Sequence, residues 1–175
     1  MKSVLAMVVL AVAGVSTGFA AQPVEASRVV STQAALRVLQ DREAIHVLLR
    51  DYGRTLDARD FDGFAALFAA DAEYVSGTTV RGPAAIGQSL KDIMGRNPLG
   101  FREPNFHLFF NEVIDVQGDR ATSTSQSLFV VPGERNTPEP ALMASYEDVL
   151  VREGGRWKFL KRVVRGNIPV PRPRS

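Results

Sequence analysis

No cysteine occurs among the 175 residues, and histidine occurs only twice, at His46 and His107. The first absence excludes disulfides, thiolate nucleophiles and sulfur-ligated metals. The second leaves too few imidazoles for a histidine zinc site, and no HExxH spacing occurs. No cofactor is therefore called for. Charge of one sign is also missing: 21 Lys and Arg face 19 Asp and Glu, for a formal net charge of +2. These charges are scattered, without a basic run or aromatic–basic interleaving, which argues against a nucleic-acid partner. There is no internal repeat. The apolar fraction, 45%, is enough for the core of one domain and too little for two.

The apolar run near the N-terminus is short as well. Residues 4–15 (VLAMVVLAVAGV) follow Lys2 and precede small residues up to Ala20 and Ala21. About 12 apolar residues fall short of the roughly 20 that span a bilayer. The pattern is that of an export signal over residues 1–20, with cleavage after Ala20 or, alternatively, after Ala26. A secreted or periplasmic protein is expected, with no membrane attachment once the signal is removed.

What is present is organised around residues 41–74. A polar lead-in over 21–30 precedes a helix from Gln33 to about Ala58, capped by Ser31 or Thr32. On it Ile45, Leu48, Leu49, Tyr52 and Leu56 share one face. Asp60 reads as the N-cap of a second helix, Phe61 to Ala69. Glu73-Tyr74-Val75 reads as a short strand, and Pro83 opens a third helix ending near Gly95. Four strands follow: 105–116, 120–131, 141–153 and 156–165, with 132–140 as a polar loop. Helices first and an antiparallel meander after them mean α+β.

The residues Asp41-Arg42-Glu43-Ala44-Ile45, Tyr52-x4-Asp57, Phe64-x2-Leu67-Phe68-x2-Asp71-Ala72, His107-x3-Asn111-x2-Ile114, Gly118-Asp119-x-Ala121 and Gly155-x-Trp157-x-Phe159 occur in this order. Together they resemble the SnoaL-like branch of the nuclear transport factor 2-like superfamily, over a domain at 31–166 followed by a Pro/Arg-rich tail at 167–175. The resemblance implies a cone-shaped α+β barrel, a bent, mainly antiparallel sheet wrapped round three helices with an apolar pocket. It also implies a small apolar ligand or substrate, and homodimers are common in the superfamily. In the scytalone and bile acid dehydratases, which it resembles most in function, an Asp and a His at the positions of Asp57 and His107 form a pair. Tyr52 matches a tyrosine used in the bile acid enzyme. The position of its arginine points to Arg162 or Arg165.

The residues themselves leave alternatives. Helical geometry puts Asp57 about 120° from the centre of the apolar stripe, on its flank. His107, between Phe106 and Leu108, reads equally as a hydrogen-bonded strand histidine. Tyr52 is either a core tyrosine or a donor to a substrate oxygen. Tyr74 and Tyr146 are packing residues or pocket donors. Arg162 and Arg165 differ in strand parity, so only one faces inward. Glu112, Glu147 and Asp148 read as surface charges, and His46 as solvent-facing. Three functions compete: a cofactor-independent dehydratase or isomerase, with His107 as base, Asp57 as its orienter and Tyr52 as oxygen donor; a ligand-binding protein; and an association domain.

Overall fold

The computed structural model describes residues 23–98 and 100–168, with side chains from residue 31 onward. The export-signal segment 1–20 and most of the 167–175 tail lie outside the described residues. By its contacts the chain divides between Ala35 and Leu36. Residues 31–35 are helical and exposed. No described helix is long and apolar enough to cross a membrane.

Helix α1 runs Pro23–Asp57. It starts ten residues earlier than expected because nothing after Pro23 breaks it, and Pro is tolerated in a first turn. Ile45, Leu49, Tyr52 and Leu56 are buried as the periodicity requires. Helix α2 (Phe61–Ala66) is capped by Asp60, whose Oδ1 accepts from the Gly63 N–H at 2.8 Å. It ends three residues before the expected Ala69, because the Phe159 N–H donates to the Leu67 carbonyl and pulls the chain into the sheet. Strand β1 (Phe68–Ser76) is accordingly much longer than 73–75. It turns into β2 (Thr78–Arg81), and α3 (Pro83–Leu90) continues into a π-helical turn, Lys91–Gly95.

The remaining strands are β3 (Phe106–Gln117), β4 (Arg120–Pro132), β5 (Pro138–Glu153) and β6 (Arg156–Ile168). The expected 132–140 loop is shorter, because Pro138 and Pro140 pair with Pro132 and Val130. On its other side β5 pairs, among the described residues, with β6 from Met143 opposite Ile168. The β5–β6 turn is Gly154-Gly155, both at positive φ (58° and 78°), as a tight hairpin demands.

The six strands lie in the order β2-β1-β6-β5-β4-β3, so the sheet does not close into a barrel. All its pairings are antiparallel except β1 with β6, which are parallel. One sheet face packs on the C-terminal half of α1. The core there joins Ile45, Leu49 and Tyr52 to Ile114, Tyr146, Leu150 and Phe159. Next to it, Asp41 ties α1 to the sheet, accepting from Trp157 Nε1 at 3.3 Å and from Arg152. Burial alone raises the Asp41 pKa, but these hydrogen bonds outweigh it and hold the carboxyl below its ordinary range.

Candidate functional site

Asp57 is the last residue of α1, and the flank position helical geometry gives it is where β3 crosses. Its carboxylate grips one residue of that strand twice. Oδ2 accepts from the His107 backbone N–H at 2.9 Å, and Oδ1 from the imidazole Nδ1 at 2.6 Å. A carboxylate only accepts, so Nδ1 carries the proton and Nε2 of the neutral ring keeps its lone pair. Nε2 has no hydrogen-bond partner among the described residues. The ring leans on Phe129, with centroids 4.6 Å apart. Close approach of helix and strand needs Gly53, where an added Cβ would lie 3.1 Å from His107 Cβ and 3.1 Å from Phe109 Cε2.

The turn after α1 is clamped in place. Arg59 has φ +58°, a conformation costing a non-glycine residue about 1–2 kcal/mol. Its guanidinium offsets this by donating to the Leu56 carbonyl at 2.9 Å and to Asn105 Oδ1 at 3.2 Å, and by pairing with Glu103 at 2.8 Å. Asn105 is buried, two residues before His107. Asp57, Asn105, His107 and Phe109 share an open cleft of about 790 Å³ with Arg50 and Glu112. The pair is thus accessible, while Asp57 and His107 expose only 19% and 11% of their side chains.

Tyr52 is not in this cleft. Its hydroxyl is in the core, 3.0 Å from the Tyr74 hydroxyl. Tyr146 bonds Ser127 at 3.0 Å. Burial raises all three phenol pKa values, Tyr52 well above its ordinary value and Tyr74 to about 12, so each stays protonated. Arg162 faces inward and is fully buried, whereas Arg165 points out and pairs with Glu147. The Arg162 guanidinium carbon lies 3.9 Å from the Tyr52 ring centroid, 4.3 Å from Tyr146 and 4.4 Å from Phe159. Its counter-ion is Asp148, at 3.4 Å. Asp148 is therefore an interior residue, against the surface role expected for it. Burial raises its pKa, while Arg162 and a hydrogen bond from Ser123 oppose the rise.

A model of the SnoaL-like domain matches residues 37–163. The chain belongs to the SnoaL-like family. Similar solved structures include a candidate scytalone dehydratase from Novosphingobium aromaticivorans, 26% identical, with a TM-score of 0.62 over 77% of this chain and 93% of that one. An NTF2-like protein of cystatin-like fold from the same organism is 25% identical (TM-score 0.64, 77% and 87% covered). A hexachlorocyclohexane dehydrochlorinase, 24% identical, shares the fold (TM-score 0.64, 77% and 90% covered). No curated protein matches the chain.

The SnoaL-like chain thus holds two polar sites on one sheet face, the Asp57–His107 pair at an open cleft and the Arg162 cluster inside. Of the residues singled out in the sequence, Asp57 and His107 meet, and Tyr52, Tyr74, Tyr146 and Arg162 gather in the second site. Asn105 and Ser123 were not singled out, and Asp148 only as a surface charge. Alternation along β5 does carry a signal for Asp148, which has the parity of buried Ala144 and Tyr146. His46 is not simply solvent-facing, since its Nδ1 pairs with Glu112 of β3. Among the described residues no cluster of His, Asp and Glu is arranged to hold a metal ion.

Proposed function

We propose that this SnoaL-like protein is a cofactor-independent dehydratase or isomerase with His107 as general base. One observation carries the reading: Asp57 holds both the backbone and the imidazole of His107, leaving Nε2 free at a cleft wide enough for a small ring compound. In the proposed reaction Nε2 removes a proton α to a carbonyl, and Asp57 stabilises the imidazolium that forms. The C–H electron pair becomes the enolate. In dehydration the enolate expels a β-hydroxyl, which leaves as water with the proton His107 carries. In isomerisation that proton returns to a different carbon. The likeness to a candidate scytalone dehydratase supports this class of chemistry. Substrates would be small, largely apolar carbonyl compounds of steroid, polyketide or aromatic type.

The test is deuterium exchange from solvent into a panel of cyclic ketones and enones, read by mass spectrometry. The wild type should accelerate exchange in at least one, and His107→Ala should lose about 10²–10⁴-fold of that acceleration. Turnover unchanged in His107→Ala would sink the assignment.

A ligand-binding protein without turnover is the second reading. It is favoured by Tyr52, whose hydroxyl faces Tyr74 rather than the cleft. Retention of a ligand with its mass and isomeric form unchanged would decide for it.

We also propose export through residues 1–20, to be tested by N-terminal sequencing of the mature protein. Homodimerisation is proposed from exposed Phe106, Leu108 and Val113 on edge strand β3. Light scattering tests it, and a monomer at high concentration would count against it.

A further inference from the structure

We propose that Phe109 is a movable partition between the Asp57–His107 cleft and the Arg162 cluster, and that a cyclic ketone or enone displaces its ring to seat the carbonyl oxygen on the Arg162 guanidinium. The proposal rests on the cleft being the ligand's entrance, as the functional reading has it.

The first support is an imbalance in the interior. Buried polar groups are almost always partnered. Among the described residues six buried side-chain atoms lack a hydrogen bond, and five of them are in one place: Arg162 Nε, NH1 and NH2, Asp148 Oδ1 and Ser125 Oγ. Arg162 is ion-paired with Asp148, yet at 3.4 Å the contact is no more than electrostatic. A guanidinium with five donors and no acceptor, enclosed by aromatic rings, is a receptor for an oxygen atom.

The second support is where Phe109 stands. It lines the open cleft, and its ring also packs edge-on to Tyr52 at 5.9 Å, against Tyr146 at 5.2 Å, and 5.6 Å from the Arg162 guanidinium carbon. No other residue lining the cleft makes a ring contact with the cluster. Ring packing and the Arg162 cation–π contact hold the ring, which is half-buried on an edge strand. That strand is irregular just beyond it, with a register shift between Phe110 and Val113 and Asn111 at φ +54°. His107 and Phe109 are two apart on one strand face, roughly 7 Å along the chain. A ligand of one or two rings in place of the Phe109 ring would reach from imidazole to guanidinium.

Charge selects the ligand. Asp148 already offsets Arg162, so a carboxylate would bring an uncompensated negative charge into the interior. A neutral carbonyl adds only the missing acceptors, and the guanidinium then faces the oxygen on which enolate charge develops.

The probe is 1-tetralone labelled with ¹³C at the carbonyl, followed by NMR titration. Phe109→Ala should bind it at least tenfold more tightly than the wild type, with the carbonyl resonance moved downfield. Phe109→Leu, which keeps most of the apolar volume and guards against a folding failure, should fall between them. The gain should vanish when Arg162→Met and Asp148→Asn are added together, a pairing that strands neither charge. Tetralone binding is read without turnover and solvent exchange is read apart from it, so failure of the proton-transfer reading and failure of this one give different results. The proposal is overturned by unchanged affinity in both Phe109 variants, by a gain that survives replacement of Arg162, or by a crystal structure in which ordered water alone keeps the Arg162 N–H groups while tetralone is bound.

Discussion

Replacing Arg162 by Met should destabilise the protein by an amount that depends on pH in a defined way. Arg162 and Asp148 are both fully buried, 3.4 Å apart, and Met fills much of the arginine's volume. The substitution leaves Asp148 with one hydrogen bond, from Ser123 at 2.9 Å, and no counter-charge. Removing one partner of a buried pair costs about 3–5 kcal/mol. A stranded carboxylate has an escape, because it can take a proton. That escape caps the charge penalty at about 1.4 kcal/mol per pH unit above the ordinary aspartate value of 3.8. The cap is about 4 kcal/mol at pH 7 and about 2 kcal/mol at pH 5. The sign follows from linkage. Burial raises the folded-state pKa of Asp148, so its contribution to stability is full below the unfolded pKa and is lost as pH rises through the folded one. Without Arg162 the folded pKa rises further and the loss at neutral pH deepens. Urea unfolding followed by Trp157 fluorescence at both pH values, each against wild type at the same pH, isolates the effect. Asp148→Asn is the control: the guanidinium it strands cannot shed its proton, so its loss of about 3–5 kcal/mol should not deepen from pH 5 to pH 7. A loss in Arg162→Met equal at the two pH values, or below about 1 kcal/mol at pH 7, would refute the reasoning.

Asp57→Asn should keep the fold and lower any exchange activity by about 10²-fold or more, since the amide cannot stabilise an imidazolium; activity equal to wild type would remove Asp57 from the mechanism. Gly53→Ala should lose about 1 kcal/mol in urea unfolding, because crowding of His107 and Phe109 at 3.1 Å outweighs the helix-propensity gain; a stabilised variant would mean that β3 yields. Arg165→Ala, which breaks only an exposed pair with Glu147, should change stability by less than about 1 kcal/mol. Tyr146→Phe removes the hydrogen bond to Ser127 and should cost about 1 kcal/mol, read as a lower urea midpoint.

The buried stripe of α1 was legible in the sequence because it follows from spacing alone: Ile45, Leu49, Tyr52 and Leu56 are all in the core. The four long strands were legible from their turn residues. The start of β1 was not, because Leu67 and Phe68 suit a helix as well as a strand. The choice is made by β6, ninety residues on, where Phe159 offers its N–H to the Leu67 carbonyl. Polar strands were harder still. On β4, Ser123, Ser125 and Ser127 face the interior while Thr122 and Thr124 face out, so hydroxyl residues occupy both faces and alternation shows no contrast. Only cross-strand pairing with Tyr146 and Asp148 reveals which face is inside.

Asp57 shows why a site is less legible than a fold. Helix periodicity measures distance from the centre of a buried stripe and ranks a flank residue as half-exposed, which is what Asp57 is. A carboxylate that orients a general base needs that same border. Deep in the stripe, at the position of Tyr52, a side chain does not reach the open cleft, and on the far side of the helix it has no strand to orient. At the flank, where α1 stops and β3 passes, Asp57 reaches a backbone N–H and an imidazole while the other face of the ring meets the cleft. The position that weakened the functional reading in one dimension strengthens it in three. The second polar site obeys the opposite logic. Arg162 is at the very centre of the packed face, where a charge is costly, and its unpartnered nitrogens become intelligible once an oxygen is brought to them from outside. The two sites are complementary: the cleft has the proposed base with one unpartnered buried donor, Asn105 Nδ2, and the interior has a charged guanidinium with three unpartnered nitrogens and no base. Phe109, two residues from His107 and in contact with both, is the side chain on which their joining depends.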